Sequence, residues 1–324
     1  MTVAIIVHGG AGSLAPERTE IVQAGCREAV LVGWRILQNG GSALDAVEAA
    51  VRTLEDNPQY NAGTGSSLNV EGNIEMDAGM MEGNTLRVGA VAGITSIKNP
   101  ILLARQVLES PHVFLIGKGA EEFALEHGMS LCTRQELLTQ RQHEIWQKMR
   151  DEHLAQKQEP SYHRRELGSL PARDIPKSTP SLLPPQEPEE KHGTVGAVAV
   201  DAHGRLAAAT STGGTHYKYP GRVGDSPLVG CGFYADEHAA VSCTGHGEDF
   251  IRLLIAKRAA DSAARGMSAR DAAQATIAVL TAKATGEGGL IIVDHLGNVG
   301  FAWNSSHMSH AYIIEGMTEP ISGV

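Results

Sequence analysis

Thr194 lies in the run His192-Gly193-Thr194-Val195-Gly196-Ala197-Val198-Ala199-Val200-Asp201, between a charged, proline-rich segment and a strand-like stretch. A threonine hydroxyl is a poor nucleophile unless a base is within hydrogen-bond reach. An internal threonine needs a neighbouring His or Lys for this. A threonine at a new N-terminus carries its own base, the α-amine, with an unperturbed pKa of roughly 8. Cutting the Gly193-Thr194 bond would therefore make Thr194 a self-sufficient nucleophile. Gly193 suits the scissile position because it tolerates backbone geometry that other residues resist. On its own, the segment also reads as an ordinary strand start.

Three other segments carry matching chemistry. Thr210-Ser211-Thr212-Gly213-Gly214 ends the strand that follows, and antiparallel pairing would bring the Thr212 hydroxyl beside Thr194, where it could tune the nucleophile. The loop Pro220 to Leu228 holds Arg222 and Asp225 three apart between glycines and prolines. A guanidinium fork grips a carboxylate and an aspartate accepts from an ammonium, so the two match the zwitterionic end of an amino acid. A local Arg222–Asp225 surface pair is the plainer reading. Cys243-Thr244-Gly245-His246-Gly247-Glu248 runs from a strand into a helix, where exposed backbone N–H groups can hold an anion or a developing oxyanion.

The glycine run His8-Gly9-Gly10-Ala11-Gly12 invites two other chemistries. A lipase-type oxyanion loop would need a Gly-x-Ser-x-Gly elbow, and a dinucleotide loop Gly-x-Gly-x-x-Gly spacing; the sequence has neither. It reads as a close-packed turn beneath the site. The 14 histidines are scattered, with no His-Glu-x-x-His pattern or His/Cys cluster for a catalytic metal.

Positioning these residues requires a layered framework. Val3 to Val7 reads as a buried strand, Pro16 to Asn39 as a helix, and Ser42 as the cap of a second helix that stops before Pro58. Tyr60 to Gly65 is a tight loop. Short strands follow at Ser67 to Val70 and Ile74 to Met76, then a strand from Arg87 to Ile97, a helix opened by Asn99-Pro100, a strand at Val113 to Ile116 and a helix at Ala120 to His127. Thr133 to Gln158 is helical but polar. Two hairpins come later, turning at 201–205 and 294–298 with similar residues. Helices at 248–264 and 268–285 lie between them. Strands in hairpins with paired helices on both sides of position 194 predict an α+β layered fold of two sheets faced by helices.

Residues 159–191 hold seven of the 14 prolines and few, aperiodic apolar residues. Such a segment cannot bury enough surface to offset its ordering entropy and reads as a flexible linker ending just before Thr194. The 324-residue chain has net charge −10, which argues against nucleic acid or an anionic membrane as partner. Cys26, Cys132, Cys231 and Cys243 are too far apart in sequence for a zinc motif or a disulfide framework. The Val3–Val7 run is too short for a signal-peptide core, and no run of about 18 apolar residues occurs. The expectation is a cytoplasmic protein.

Taken together, HGGAG at 8–12, YNAGTG at 60–65, GNTLRVGAVAG at 83–93, HGTVGAVAVD at 192–201, TSTGG at 210–214, PGRVGDSPL at 220–228 and TGHGE at 244–248 resemble the plant-type asparaginase/isoaspartyl peptidase family of N-terminal-nucleophile hydrolases. The resemblance spans nearly all of the chain outside 133–191. It implies a four-layer αββα sandwich in one domain, self-cleaved into an α chain, 1–193, and a β chain, 194–324, with two αβ units forming a dimer. It implies Thr194 as nucleophile, Thr212 as its assistant, Arg222 and Asp225 as holders of the substrate's α-carboxylate and α-ammonium, Thr244 and Gly245 as the oxyanion hole, and Gly247 at the substrate end. Asn61 corresponds to a loop asparagine near the scissile bond. The substrates implied are L-asparagine and β-aspartyl dipeptides. No cofactor is implied for catalysis; a structural sodium ion would rest on backbone carbonyls of Leu54, Glu55, Asn57, Tyr60, Ala62 and Thr64.

The sequence departs from the pattern at His246, where a small or uncharged polar residue is usual, and in the length of 133–191. Glycosylasparaginase and threonine aspartase are rivals within the superfamily. PGRVGDSPL favours the small-substrate group. A non-catalytic amino-acid-binding protein of the same fold is the alternative from another class.

Overall fold

The computed structural model describes residues 2–155 and 193–324; the 159–191 linker expected from the sequence lies outside them. The N-terminal apolar run forms β1 (Ala4–Gly12). A single 3₁₀ turn leads into α1 (Thr19–Gln38). Ser42 caps α2 (Ala43–Asp56) by accepting from the Asp45 N–H, as its sequence position predicts. Then come β2 (Met76–Glu82), β3 (Arg87–Ile94), α3 (Pro100–Leu108), β4 (Phe114–Ile116), α4 (Gly117–Glu126), the short α5 (Arg134–Leu137) and α6 (Gln140–Ala155). After position 193 the chain forms β5 (Val195–Val200), β6 (Leu206–Thr212), β7 (Phe233–Ala235), β8 (Ala239–Gly245), α7 (Gly247–Leu253), α8 (Ile255–Ala264), α9 (Ala269–Lys283), β9 (Gly288–Asp294), β10 (Val299–Trp303), β11 (His307–Ile314) and β12 (Ile321–Gly323).

Among the described residues these strands make an eight-stranded sheet, β12-β11-β1-β5-β6-β2-β3-β4, and a four-stranded sheet, β10-β9-β8-β7. β5, which begins just after Thr194, and β6, which ends at Thr212, are central, and both are buried along their whole length. Strands covered on both faces read as continuous apolar runs, which explains Val-Gly-Ala-Val-Ala-Val and Leu-Ala-Ala-Ala.

The period-two alternation of a strand sorts the core. Ile5, Val7, Ala197, Ala199, Ala207 and Ala209 share a cluster with α1, α2 and α3. Their neighbours Ala4, Ile6, Val198, Val200, Leu206 and Ala208 pack against Ala240, Ile291 and Val293 of the second sheet. Val241 and Cys243 turn the other way, onto residues of α8 and α9. Even-numbered residues of β1 up to His8, and of β5, β6 and β8, therefore face the layer between the sheets.

Three expectations change. His8 to Gly12 is not a turn. It continues β1, and the register against β11 slips between His8 and Ala11, so the glycines are absorbed as a bulge, with Gly10 at φ 112°. The strand Met76–Glu82 extends well past the expected Ile74–Met76, because its Ala, Gly and Met residues fit between β3 and β6 without any β-branched signal. The helix expected over 248–264 breaks at Leu254, which takes φ 52°. The two similar hairpin turns do share one construction. Asp201 Oδ1 accepts from the N–H groups of His203 and Arg205, and Asp294 Oδ1 from those of Leu296 and Asn298.

Candidate active site

Antiparallel pairing of Val195 with Ser211 sets Thr194 across from Thr212, as the strand pattern predicts. The Thr194 hydroxyl donates to Thr212 Oγ1 at 3.0 Å. Thr212 Oγ1 also accepts from the Gly214 N–H at 3.0 Å, so the turn after β6 fixes that hydroxyl. Both threonines are buried, at 8% and 3% exposure.

Asn61 ties the bond before Thr194 to that same turn. Its N–H donates to Gly193 O (3.1 Å) and its carbonyl accepts from Gly213 N (2.8 Å). Its side chain donates to Gly214 O (2.6 Å) and accepts from Ser67 N (2.7 Å). The approach demands glycine on both sides: a Cβ on Gly193 would lie 2.8 Å from Asn61 Cβ, and one on Gly213 would lie 2.4 Å from Asn61 Oδ1.

In the charged loop the plainer reading, a local Arg222–Asp225 pair, does not hold. Arg222 does not pair with Asp225. Its Nε and Nη2 donate to the two oxygens of Glu248, at 2.9 and 2.6 Å. Burial raises the Glu248 carboxyl, but the Arg222 hydrogen bonds and charge outweigh it and bring it to about 2. Asp225 is buried, its Oδ2 has no partner, and burial pushes its pKa up to about 7 against the pull of the nearby Arg222. An unpaired buried carboxylate is costly, and a ligand ammonium is the group that would relieve it. Gly247 packs tightly here: a Cβ there would stand 3.0 Å from Arg222 Nη2 and from Asp225 Oδ1.

Two further charges belong here. Asp77 is the cross-strand partner of Thr212. It is fully buried and accepts from Gly93 N, while its other oxygen has no partner. Burial raises its pKa, opposed by the charges of Lys218 and Arg222. Lys218 is 5% exposed. It donates to Glu75 O at 2.7 Å, and burial lowers its pKa against the attraction of Asp77. Its chain packs on Gly214, where a Cβ would lie 2.7 Å from Nζ.

Thr244 faces Thr194's layer from the second sheet. It is fully buried, and its Oγ1 accepts from Ala11 N at 3.2 Å, which uses the bulged end of β1. A Cβ on Gly245 would meet Gly288 Cα at 2.6 Å. His246 turns to the start of α7, with Nδ1 3.0 Å from Asp249 and Nε2 3.5 Å from Glu248.

The expected cation loop folds back on itself. Glu55 O accepts from Thr64 N at 2.8 Å, and the carbonyls of Leu54 and Asn57 accept from Asn57 N and Tyr60 N. Thr64 Oγ1 is buried without a partner. Among the described residues no cluster of three or more His, Cys, Asp or Glu side chains could hold a metal ion, and no helix is long and apolar enough to cross a membrane.

The family model described as Asparaginase matches residues 1–321. The chain belongs to this family. It is 48% identical over 326 residues to the plant-type L-asparaginase of Pyrococcus horikoshii, covering 99% of this chain and 100% of that protein. It is 48% identical over 325 residues to the plant-type L-asparaginase of Thermococcus kodakarensis, covering 99% of each. It is 41% identical over 319 residues to the isoaspartyl peptidase/L-asparaginase of Rattus norvegicus, covering 98% of this chain and 87% of the relative.

Within this asparaginase-family chain, then, Gly193, Thr194, Thr212 and Asn61 come together, Gly247 packs on Arg222 and Asp225, and Asp77, the cross-strand partner of Thr212, feels the charge of Arg222 and so relates the two groups. Sequence reading missed Glu248 as the partner of Arg222, and it missed Asp77 and Lys218. An acidic residue inside an otherwise apolar stretch, Met76–Met81, was the available signal for Asp77. Lys218 lies in a polar loop and gave no signal.

Proposed function

We propose that this chain is a self-processing amide hydrolase that acts on L-asparagine and β-aspartyl dipeptides through an acyl-enzyme on Thr194. The observation that carries the reading is the Thr194 hydroxyl resting on Thr212, with the preceding carbonyl held by Asn61. The names of the relatives agree with it. An N→O acyl shift onto the Thr194 hydroxyl, then hydrolysis of the ester, yields an α chain of 1–193 and a β chain of 194–324.

The freed α-amine of Thr194 takes the hydroxyl proton, and the alkoxide attacks the β-acyl carbonyl of the substrate. Thr244 and Gly245 hold the oxyanion, a donor role whose loss costs about 10²–10³ in rate. The amine or ammonia departs, and water releases aspartate. Arg222 retains Nη1 for the substrate's α-carboxylate while Glu248 holds its other edge, and Asp225 receives the α-ammonium. Both substrates present these same groups and differ only in what leaves.

The three core clusters support a four-layer αββα sandwich as one domain, and a dimer of αβ units is the assembly we expect. We place the enzyme in the cytoplasm. A sodium ion fits the 54–64 loop because the carbonyls and the unpartnered Thr64 hydroxyl are hard oxygen donors; Leu54, Glu55, Asn57, Tyr60, Ala62 and Thr64 would hold it, and its contribution would be to keep the Asn61 loop in place. The test is release of ammonia from asparagine and of the second residue from a β-aspartyl dipeptide. Cleaved protein should do both, and Thr194→Ala neither. Activity retained in Thr194→Ala would refute the assignment.

A further inference from the structure

Three buried polar side chains cross the layer between the sheets just inward of the candidate catalytic residues. His8 Nε2 lies 2.9 Å from Ser242 Oγ. Ser242 Oγ lies 2.7 Å from Thr210 Oγ1, and Thr210 Oγ1 donates to Gly232 O at 3.3 Å. All three side chains are fully buried. The donor and acceptor roles along this chain agree when Nε2–H donates to Ser242 and the Ser242 hydroxyl donates to Thr210. Burial lowers the His8 pKa to about 3, so the ring is neutral. The nearby Thr194 backbone favours the charged form, yet Nδ1 forms no hydrogen bond.

The placement of these residues follows strand periodicity. Ser242 is two residues before Thr244, Thr210 two before Thr212, and Gly196 two after Thr194, each pair on one face of its strand. Two residues of strand span roughly 7 Å. Gly196 lies directly under the junction: a Cβ there would stand 2.0 Å from Ser242 Oγ and 2.4 Å from His8 Nε2. The lack of a side chain at Gly196 lets the chain of hydrogen bonds close over β5, the strand that follows Thr194.

We infer that His8, Ser242 and Thr210 are an intersheet pin that sets the position of Thr194 and Thr212 on one sheet relative to Thr244 and Gly245 on the other. The inference rests on the reading of those residues as nucleophile and oxyanion hole. Apolar packing of the surrounding Val198, Val200, Ile291 and Val293 is non-directional and permits sliding. Hydrogen bonds of defined length do not. Three matched apolar residues would stabilise the layer about as well, so the distinctive contribution of the polar set is register. These are positioning residues: they need not touch substrate.

The register account makes a kinetic prediction. Ground-state binding belongs to Arg222 and Asp225, on a loop outside both sheets, whereas oxyanion alignment matters only in the transition state. Thr210→Val, isosteric and without the hydroxyl, and Ser242→Ala should each lower kcat about 10- to 100-fold, the scale of a misplacement near 1 Å, with KM within about twofold of wild type. The double variant should cost little more than either single one, because one link breaks the chain. Thr210→Ser should recover most of kcat. All are assayed as cleaved protein of verified mass, with Tm recorded. Lower Tm with unchanged kcat, or kcat and KM worsening together, would overturn the inference. Thr194→Ala runs alongside: if it retains turnover, the reading of the site fails, whatever the pin variants do.

Discussion

Arg222 closes its guanidinium on Glu248, at 2.9 and 2.6 Å, and leaves Asp225, three residues along its own loop, without that partner. Glu248 thereby fixes the direction of the remaining Arg222 donor, which on the proposed reading takes the substrate carboxylate. Glu248→Gln keeps the shape but loses the charge-assisted clasp. KM for asparagine should rise about tenfold, or ~1.4 kcal/mol, with kcat changed much less. An unaltered KM would show that Arg222 needs no such support.

Asp225 sets a pH dependence. Its carboxyl titrates near 7 because it is buried, and only the ionised form attracts a ligand ammonium. KM should fall as pH rises from 5.5 to 7.5 and level off above. Asp225→Asn should raise KM at every pH and abolish that dependence. A wild-type KM flat across this range would contradict the assignment.

Glu55 controls stability rather than binding. Burial raises its pKa to about 8, against hydrogen bonds from Ser211 and Ile101. The folded value exceeds the ordinary carboxyl value near 4.3, so folding takes up a proton between them, and the stability it contributes is lost as pH rises toward 8. Thermal unfolding should show a falling Tm from pH 6 to 8.5, and Glu55→Gln should flatten that slope. Parallel slopes would exclude a role for Glu55.

Asn61 joins the Gly193 carbonyl to the Gly213–Gly214 turn that holds Thr212. Asn61→Ala leaves Ser67 N and Gly214 O unpaired, at a cost of roughly 1–3 kcal/mol for each buried group. Self-cleavage should slow at least about tenfold, followed by the appearance of the two chains on a denaturing gel over time. Cleavage at the wild-type rate would mean that the loop does not position the bond.

How much of this was legible follows from the kind of signal each residue gives. The strand run after Thr194, the cap at Ser42 and the hairpin turns at 201–205 and 294–298 speak through local pattern, and the sheet pairing of Thr194 with Thr212 follows from hairpin register alone. The glycines after His8 look like a turn locally and become a bulge only because β5 and β11 flank them. Met76–Glu82 lacks β-branched residues and is a strand by tertiary context. Arg222 with Asp225 looks like a pair in sequence, but Glu248, 26 residues away, has the better geometry. His8, Ser242 and Thr210 are far apart in the chain, and only the stacking of two sheets brings them together.

The central claim is that Thr194 becomes an N-terminus, and intact mass under denaturing conditions tests it most directly. Freshly purified, incubated protein should resolve into two species, one ending at Gly193 and one beginning at Thr194, while Thr194→Ala stays whole. A wild-type chain that remains a single species of full mass would contradict the account and bring forward an amino-acid-binding protein of the same fold.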